Sequence, residues 1–298
     1  MLDKALSPTV IALGYFDSVH EGHKRVIQTA KEYADKNGYT LTVFTFKGNL
    51  KAMLGGKNDK SVYLPKEREN LLVELGADEI FFAPVDEKFL SIGKLAFLNY
   101  LNKKYNIKCY VSGFDYRFGK FGKGDIKYIE SYAKKFGQAQ IVVDTYDIDG
   151  EKVSTTAIKS LLKDGNVEKA NVLLGRKFSI SGVVYKDRSV GAKIGFPTAN
   201  IKIDKDKFCV KDGVYQGEIK LDGKFYSVII NYGARPTFDL NEKVLEVHII
   251  GFNGNLYGKE LTVCFSKRMR DVIRFNSEIE LKAQLEKDLR FIKEGKYD

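Results

Sequence analysis

The 298-residue chain has no tryptophan and only five prolines, three methionines, three cysteines and three histidines. The cysteines, Cys109, Cys209 and Cys264, are odd in number, stand in apolar contexts and show neither CxxC nor Cys/His ligand spacing. A disulfide framework and a zinc site do not fit, and a reducing compartment does. No run of about 18 apolar residues is present to cross a membrane. The opening "MLDKALSPTV" lacks the charged, apolar and small-residue order of a secretory leader. The expectation is a soluble, cytoplasmic protein with no membrane partner. Convincing internal repeats and low-complexity tracts are missing as well.

Positive charge is what the chain has in excess: 49 Lys and Arg against 39 Asp and Glu, a formal net charge of +10. Such a balance invites a nucleic-acid reading, because Lys and Arg neutralise phosphates. The basic residues are scattered, however, with no consecutive block, RNA-binding signature or zinc-finger spacing. A solvated lysine-rich surface is the better reading, and no nucleic-acid partner is expected. The same field attracts small polyanions such as ATP.

The length suits about two domains. "VIALG" at 10–14 reads as a buried strand, and "HKRVIQTAKEYADKNG" has helical spacing that stops at Asn37 and Gly38. "YTLTVFTF" at 39–46 is the next strand, so the chain opens with a β-loop-α-β unit. "EIFFAPV", "IKCYVSG" and "QAQIVVDTYDI" are further buried strands, separated by helical stretches such as "PKERENLLVELG". This alternation predicts a parallel sheet with helices on both faces. Ligands in such sheets sit beyond the carboxyl ends of the strands, here at the loops starting at Gly14, Phe46, Ala83 and Gly113.

From Ser154 the pattern turns helical: "STTAIKSLLKDG" has Ser154 as its N-cap, and "NVEKANVLLG" follows. After Ile180 short alternating strands dominate, with a hairpin signal at Asp222-Gly223 and another turn at Asn253 and Gly254. A small antiparallel barrel closes this half. The end of the chain offers a Ser277/Glu280 capping box and leucines 281, 285 and 289 at a spacing of four, a terminal amphipathic helix. The fold class is thus α/β plus β, divided as 1–153, a helical connector 154–178, and 179–298.

Two of the three histidines, His20 and His23, lie in "GYFDSVHEGH" about one turn apart at a helix start. Backbone N–H groups there already favour an anion, and imidazole donors beside them can grip a triphosphate. Donors aimed at a departing pyrophosphate lower the barrier to nucleotidyl transfer without a covalent step. Helix-capping or surface histidines are an equal alternative, and metal ligation is the weakest because no third His or Cys ligand is in evidence. In "VLEVHIIG", Leu245, Val247 and Ile249 alternate with Glu246 and His248, so one strand face is apolar and the other presents a carboxylate and an imidazole.

"GYFDSVHEGH" resembles the GxFDGxHxGH signature of the prokaryotic FAD synthetases. "VSGFDYRFGKFGKGD" is similar to that family's VGxDFRFGxxxxGD, and "STTAIKSLLKDGNVEKANVLLGR" to its SSTxIRxxLxxGxVxxAxxLLGR. The second half resembles the flavokinases in "IGFPTAN", "VIINYGARPTF", "LEVHIIGF", "LYGKELTVCF" and "RMRDVIRF", in that order. The resemblance, to bifunctional flavin-cofactor enzymes, covers nearly the whole chain. It implies a Rossmann-like nucleotidyltransferase domain with a parallel sheet, followed by a flavokinase-like barrel.

It also implies roles. Gly14, Phe16, Asp17, His20, His23, Asp115, Arg117, Ser154 and Thr155 would bind ATP in adenylylation of FMN to FAD, with His20 and His23 catalytic. Gly191, Lys193, Gly195, Thr198 and Asn200 would bind the ATP that phosphorylates riboflavin, and Thr198 and Asn200 would also hold Mg²⁺. Glu246 would be the base for the ribityl hydroxyl, and Arg270 and Phe275 would lie near flavin. The partners implied are small molecules: riboflavin, FMN, FAD and ATP.

The departures all fall in the motifs that resemble the FAD synthetases. Ser18 stands where the family has a second Gly, "TFKGNL" replaces TFxPHP, and Ala157 and Lys159 occupy the usual Arg positions. They leave open a riboflavin kinase whose first domain is weak or altered in specificity. A basic nucleic-acid-binding protein on a nucleotidyltransferase fold is the alternative from another class.

Overall fold

The computed structural model describes residues 7–53, 59–186, 195–234 and 243–294. The chain forms two compact units, 1–155 and 156–298.

The opening β-loop-α-β unit is β1 (Pro8–Leu13), α1 (Glu21–Asn37) and β2 (Thr40–Phe46). Gly38 ends α1 at φ 68°, its N–H returning to the carbonyls of Ala34 and Asp35, as glycine after a helix does because it alone enters this region without strain. Then come α2 (Leu50–Met53), α3 (Pro65–Glu74), β3 (Glu79–Ala83), α4 (Glu87–Leu90), α5 (Lys94–Lys104) and β4 (Asn106–Gly113). The unit is completed by α6 (Ile126–Lys135), β5 (Ala139–Val143) and a small hairpin of β6 (Asp147–Ile148) and β7 (Glu151–Lys152).

The sheet is parallel, in the order β3-β2-β1-β4-β5. Val10 and Ala12 of β1 face Val26, Ile27 and Ala30 of α1, whereas Ile11 and Leu13 face Phe97, Leu98 and Leu101 of α5 with Ile129 of α6. Burial on both faces is why these strands read as unbroken apolar runs. The strand order reverses between β1 and β4, which opens a crevice beyond their carboxyl ends.

The second unit contains nearly all of α7 (Thr155–Asp164), then α8 (Val167–Leu174) and six strands: β8 (Phe178–Tyr185), β9 (Thr198–Ile203), β10 (Gly213–Leu221), β11 (Lys224–Ala234), β12 (Lys243–Ile249) and β13 (Glu260–Arg270). The strands close in the ring order β10-β11-β12-β9-β8-β13, every pair antiparallel. Asp222 and Gly223 turn β10 into β11 with φ of 47° and 81°, the double positive φ of a type I′ hairpin. The turn at Asn253 and Gly254 lies instead in a connection between strands that are not neighbours, β12 and β13.

Helix α8 packs on strands β8 and β13 of the barrel. Val167, Ala170, Leu173 and Leu174 of α8 are buried, and Asn171 Nδ2 donates to the Phe265 carbonyl at 2.9 Å while its Oδ1 accepts from the Phe178 N–H at 2.6 Å.

The terminal helix α9 (Glu278–Glu294) starts where the capping signal lies, with the Glu280 N–H on Ser277 Oγ at 3.2 Å. Its buried positions are Asp288 and Phe291, while leucines 281, 285 and 289 are half-buried. Asp288 goes deepest because Arg270 of β13 meets it twice, Nε to Oδ1 at 2.9 Å and Nη2 to Oδ2 at 2.6 Å. Removing one partner of a buried ion pair leaves a bare charge inside, at a cost of roughly 3–5 kcal/mol. Asp288→Ala is therefore expected to destabilise the second unit by about 3 kcal/mol. Urea unfolding followed by circular dichroism reads that loss, and an unchanged midpoint would show that the pair contributes nothing.

Candidate active sites

In the first unit the loop after β1 is strained. Phe16 and Val19 have φ of 50° and 42°, a region that costs a side-chain-bearing residue about 1–3 kcal/mol and is least tolerated by β-branched valine. Surrounding bonds hold it there. The Asp17 carboxylate, 1% exposed, accepts the Val62 N–H at 3.2 Å, and its carbonyl accepts from Tyr63. Gly14 admits no side chain, because a Cβ there would lie 2.5 Å from the Phe16 ring. That ring meets His23 edge-on at 5.2 Å.

His20 is the N-cap of α1, and its Nδ1 accepts the His23 N–H at 3.1 Å. An accepting Nδ1 fixes the neutral tautomer, so Nε2 carries the proton and is a donor. The two imidazoles stack at 3.6 Å and 11°. The capping role and a phosphate-donor role thus use opposite nitrogens of one ring.

Ser18, fully buried, has no positive φ, and its Oγ lies 2.9 Å from Thr155 Oγ1, the last residue of the first unit. The position therefore accepts a side chain, and that side chain ties the histidine loop to the Ser154-Thr155 segment. In "TFKGNL", Asn49 donates to the Asp59 carbonyl at 2.8 Å, and Tyr15 Oη donates to Asn49 Oδ1 at 3.4 Å. Burial and the nearby Asp17 charge push the Tyr15 hydroxyl up to about 12, so it stays a neutral donor. After β4, Asp115 is exposed, and Arg117 reaches Asp125, the N-cap of α6, at 3.4 Å. Lys159, at a usual Arg position, lies 5.6 Å from the Phe208 ring in the second unit.

In the barrel, Glu246 of β12 pairs in register with Asn231 of β11 and Asn200 of β9, and His248 with Thr198. Directly opposed residues share a face, so these side chains form one polar cluster. Leu245, Val247 and Ile249 are buried on the other face, the alternation read from the sequence. Asn231 Nδ2 donates to Glu246 Oε2 at 3.5 Å, and His248 Nδ1 lies 2.9 Å from the Pro197 carbonyl. Asn200 Oδ1 is buried and accepts no hydrogen bond among the described residues. Beside Thr198 a cavity of about 310 Å³ is lined by Pro197, Ala199, Phe252, Leu256 and Tyr257, among others.

Gly195 has φ 86°, while Gly191 and Lys193 lie outside the described residues. Phe275 is half-buried between β13 and α9. The Arg270 guanidinium is held by Asp288 and by the Asp271 carbonyl.

The sequence model of the FAD synthetase family matches residues 2–157, and that of riboflavin kinase matches 174–295. A bifunctional riboflavin kinase/FMN adenylyltransferase of Bacillus subtilis (strain 168) is 34% identical over 97% of this chain and 92% of its own length. The chain belongs to that family. The protein of the same description from Escherichia coli (strain K12) is 32% identical over 94% of this chain and 90% of its own. A crystal structure described as a macrolide-efflux protein from Streptococcus pneumoniae matches with a TM-score of 0.89 and 31% identity, covering 98% of this chain and 96% of that one. No helix among the described residues is long and apolar enough to cross a membrane.

In this riboflavin kinase/FMN adenylyltransferase family member, sequence reasoning passed over Arg68. It stands on α3 among charged neighbours in "PKEREN" and looks like a surface residue, yet it is 0% exposed. Nη1 donates to the Tyr15 carbonyl at 3.1 Å and to Thr45 Oγ1 at 3.3 Å, and Nη2 donates to the Phe46 carbonyl at 2.7 Å. Burial pulls its pKa below the usual arginine value, from so high a start that the guanidinium stays charged. The signal available was position: α3 follows the strand whose loop departs from the family pattern.

Proposed function

We propose that the chain makes FAD from riboflavin in two ATP-dependent steps, one in each unit. In the barrel, Glu246 takes the proton of the ribityl 5′-hydroxyl as its oxygen attacks the γ-phosphorus of ATP. FMN and ADP are the products. In the first unit, a phosphate oxygen of FMN attacks the α-phosphorus of a second ATP. Pyrophosphate leaves with its charge received by His20 and His23, and FAD is formed.

The observation that carries the reading is the in-register polar cluster of Asn200, Glu246, Thr198 and His248 on one barrel face. It occurs in a chain whose other unit presents the stacked His20-His23 pair at a helix start. Phosphate binding at such a pair relies on N–H donors and the helix N-terminus. Asp17, Phe16 and Gly14 shape that loop, Ser154 and Thr155 adjoin it, and Asp115 and Arg117 follow β4 at the same sheet end.

Asn200 Oδ1, a buried oxygen awaiting a partner beside the Thr198 hydroxyl's strand position, suits a hard cation. Mg²⁺ held by Thr198 and Asn200 would neutralise charge on the ATP phosphates there. The 154–178 connector would separate an adenylyltransferase of residues 1–153 from a kinase of 179–298, and both reactions would run in the cytoplasm, where ATP is made available.

Riboflavin, ATP and Mg²⁺ incubated with the full chain, with flavins separated by chromatography, test the whole scheme. FMN followed by FAD is the expected result. FMN alone would mean that the departures at Ser18 and 45–50 have disabled the first unit, and no flavin turnover would end the proposal.

A further inference from the structure

The loop that carries His20 and His23 is bent through two positive φ values, so something must oppose its relaxation. The first carbonyl in the bend, that of Tyr15, accepts two bonds: Thr45 Oγ1 at 2.6 Å and Arg68 Nη1 at 3.1 Å. Arg68 Nη2 meanwhile grips the Phe46 carbonyl, the last of β2. One planar, always-charged fork thereby spans the ends of two adjacent strands at the sheet edge where the crevice lies.

Arg68 has no carboxylate in hydrogen-bonded contact among the described ion pairs, although the buried Asp17 carboxylate favours its charge through space, and its buried Nε has no hydrogen-bond partner among the described residues. Two peptide carbonyls and one hydroxyl are neutral partners for a fully buried cation, whose burial is costly unless it is well paired. All its described side-chain hydrogen bonds go to the two strand ends it joins, at Tyr15, Thr45 and Phe46. The segment leading into α3 makes the same connection a second time, through the Val62 and Tyr63 N–H groups on Asp17.

We propose that Arg68 is a positioning residue of the adenylyltransferase site, its guanidinium fixing the strained 14–20 loop against the end of β2 so that His20 and His23 meet the ATP phosphates. The proposal rests on the adenylyltransferase reading of the first unit. Arg68 touches no reacting atom, and it acts through Tyr15. A lysine at this position keeps the charge but offers one nitrogen in place of the fork, so it can hold one carbonyl well and not both.

The test uses the full-length chain as wild type, Arg68→Met and Arg68→Lys. For Arg68→Met, kcat for FMN adenylylation is expected to fall about 10²-fold, the cost of a misplacement near 1 Å. KM for ATP changes little, and riboflavin phosphorylation is unaltered in the same preparation. Arg68→Lys recovers part of the lost kcat. The histidine content provides a second readout that needs no turnover, because only three imidazoles contribute ring-proton NMR signals to assign. In Arg68→Met the signals of His20 and His23 shift while that of His248 stays.

Unmoved histidine signals, or an unchanged adenylylation kcat in an active preparation, overturn the proposal. If the methionine variant does not fold, Arg68→Lys decides by the same two measurements. A wild-type chain that makes FMN and no FAD would refute the adenylyltransferase reading, and the histidine shifts would still decide the role of Arg68.

Discussion

Glu246→Gln is expected to lower riboflavin phosphorylation by about 10²–10⁴-fold, the usual contribution of a general base, and to leave conversion of FMN to FAD unchanged. The substitution is nearly isosteric. Gln keeps an oxygen to accept from Asn231 Nδ2 and keeps the pairing of β12 with β9 and β11, so the barrel stays closed. What disappears is the group able to take the ribityl proton, since an amide oxygen has almost no basicity at neutral pH. Two assays on one preparation read the result: FMN formed from riboflavin, and FAD formed from supplied FMN. Retention of the first activity would remove Glu246 from the mechanism and leave His248 as the base to examine on that strand face.

His23→Ala is expected to do the reverse, cutting FAD synthesis by about 10²–10³-fold, the cost of one donor at a developing charge, with riboflavin phosphorylation intact. His23 is the cleaner target, because His20 also caps α1 through Nδ1. An alanine at His20 would mix a lost cap, worth about 1 kcal/mol, with a lost phosphate donor. His20→Asn separates the two, since asparagine caps well but has no counterpart to imidazole Nε2. Both variants should lose adenylylation if the imidazoles serve the pyrophosphate. If His20→Asn and His23→Ala make FAD at the wild-type rate, the pair is there for the helix alone.

Strand and helix types in both halves were legible because each followed a local pattern. Double-sided burial wrote β1, β2 and β4 as apolar runs, and single-sided burial wrote β12 as an alternation that places Glu246 and His248 on one face. The Asp222-Gly223 hairpin was likewise a two-residue signal. What escaped was contact between distant residues. Ser18 looked like a flaw in a glycine motif, and its partner Thr155 stands 137 residues away. Arg270 matched a flavin-side position, and nothing local announces its two hydrogen bonds to Asp288 eighteen residues on. Arg68 was invisible for the opposite reason: among Lys66, Glu67 and Glu69 its charge looked ordinary, and only the fold places it under two strand ends.

The barrel closes by joining its first strand to its last. β8 pairs with β13 over a separation illustrated by the Ser181-Thr262 contact, 81 residues apart in the chain. Every other strand of the ring lies between these two in the chain, and the Arg270-Asp288 clasp comes later still. Pairings of such long range are slow to form because loop-closure entropy is lost before contacts repay it. During synthesis the first unit, made of neighbouring β-loop-α steps, has all its strands available while the second still lacks its closing one. A chain made only as far as Lys259 would therefore hold a complete parallel sheet and a barrel still open along β8 and β10, the two strands that β13 joins.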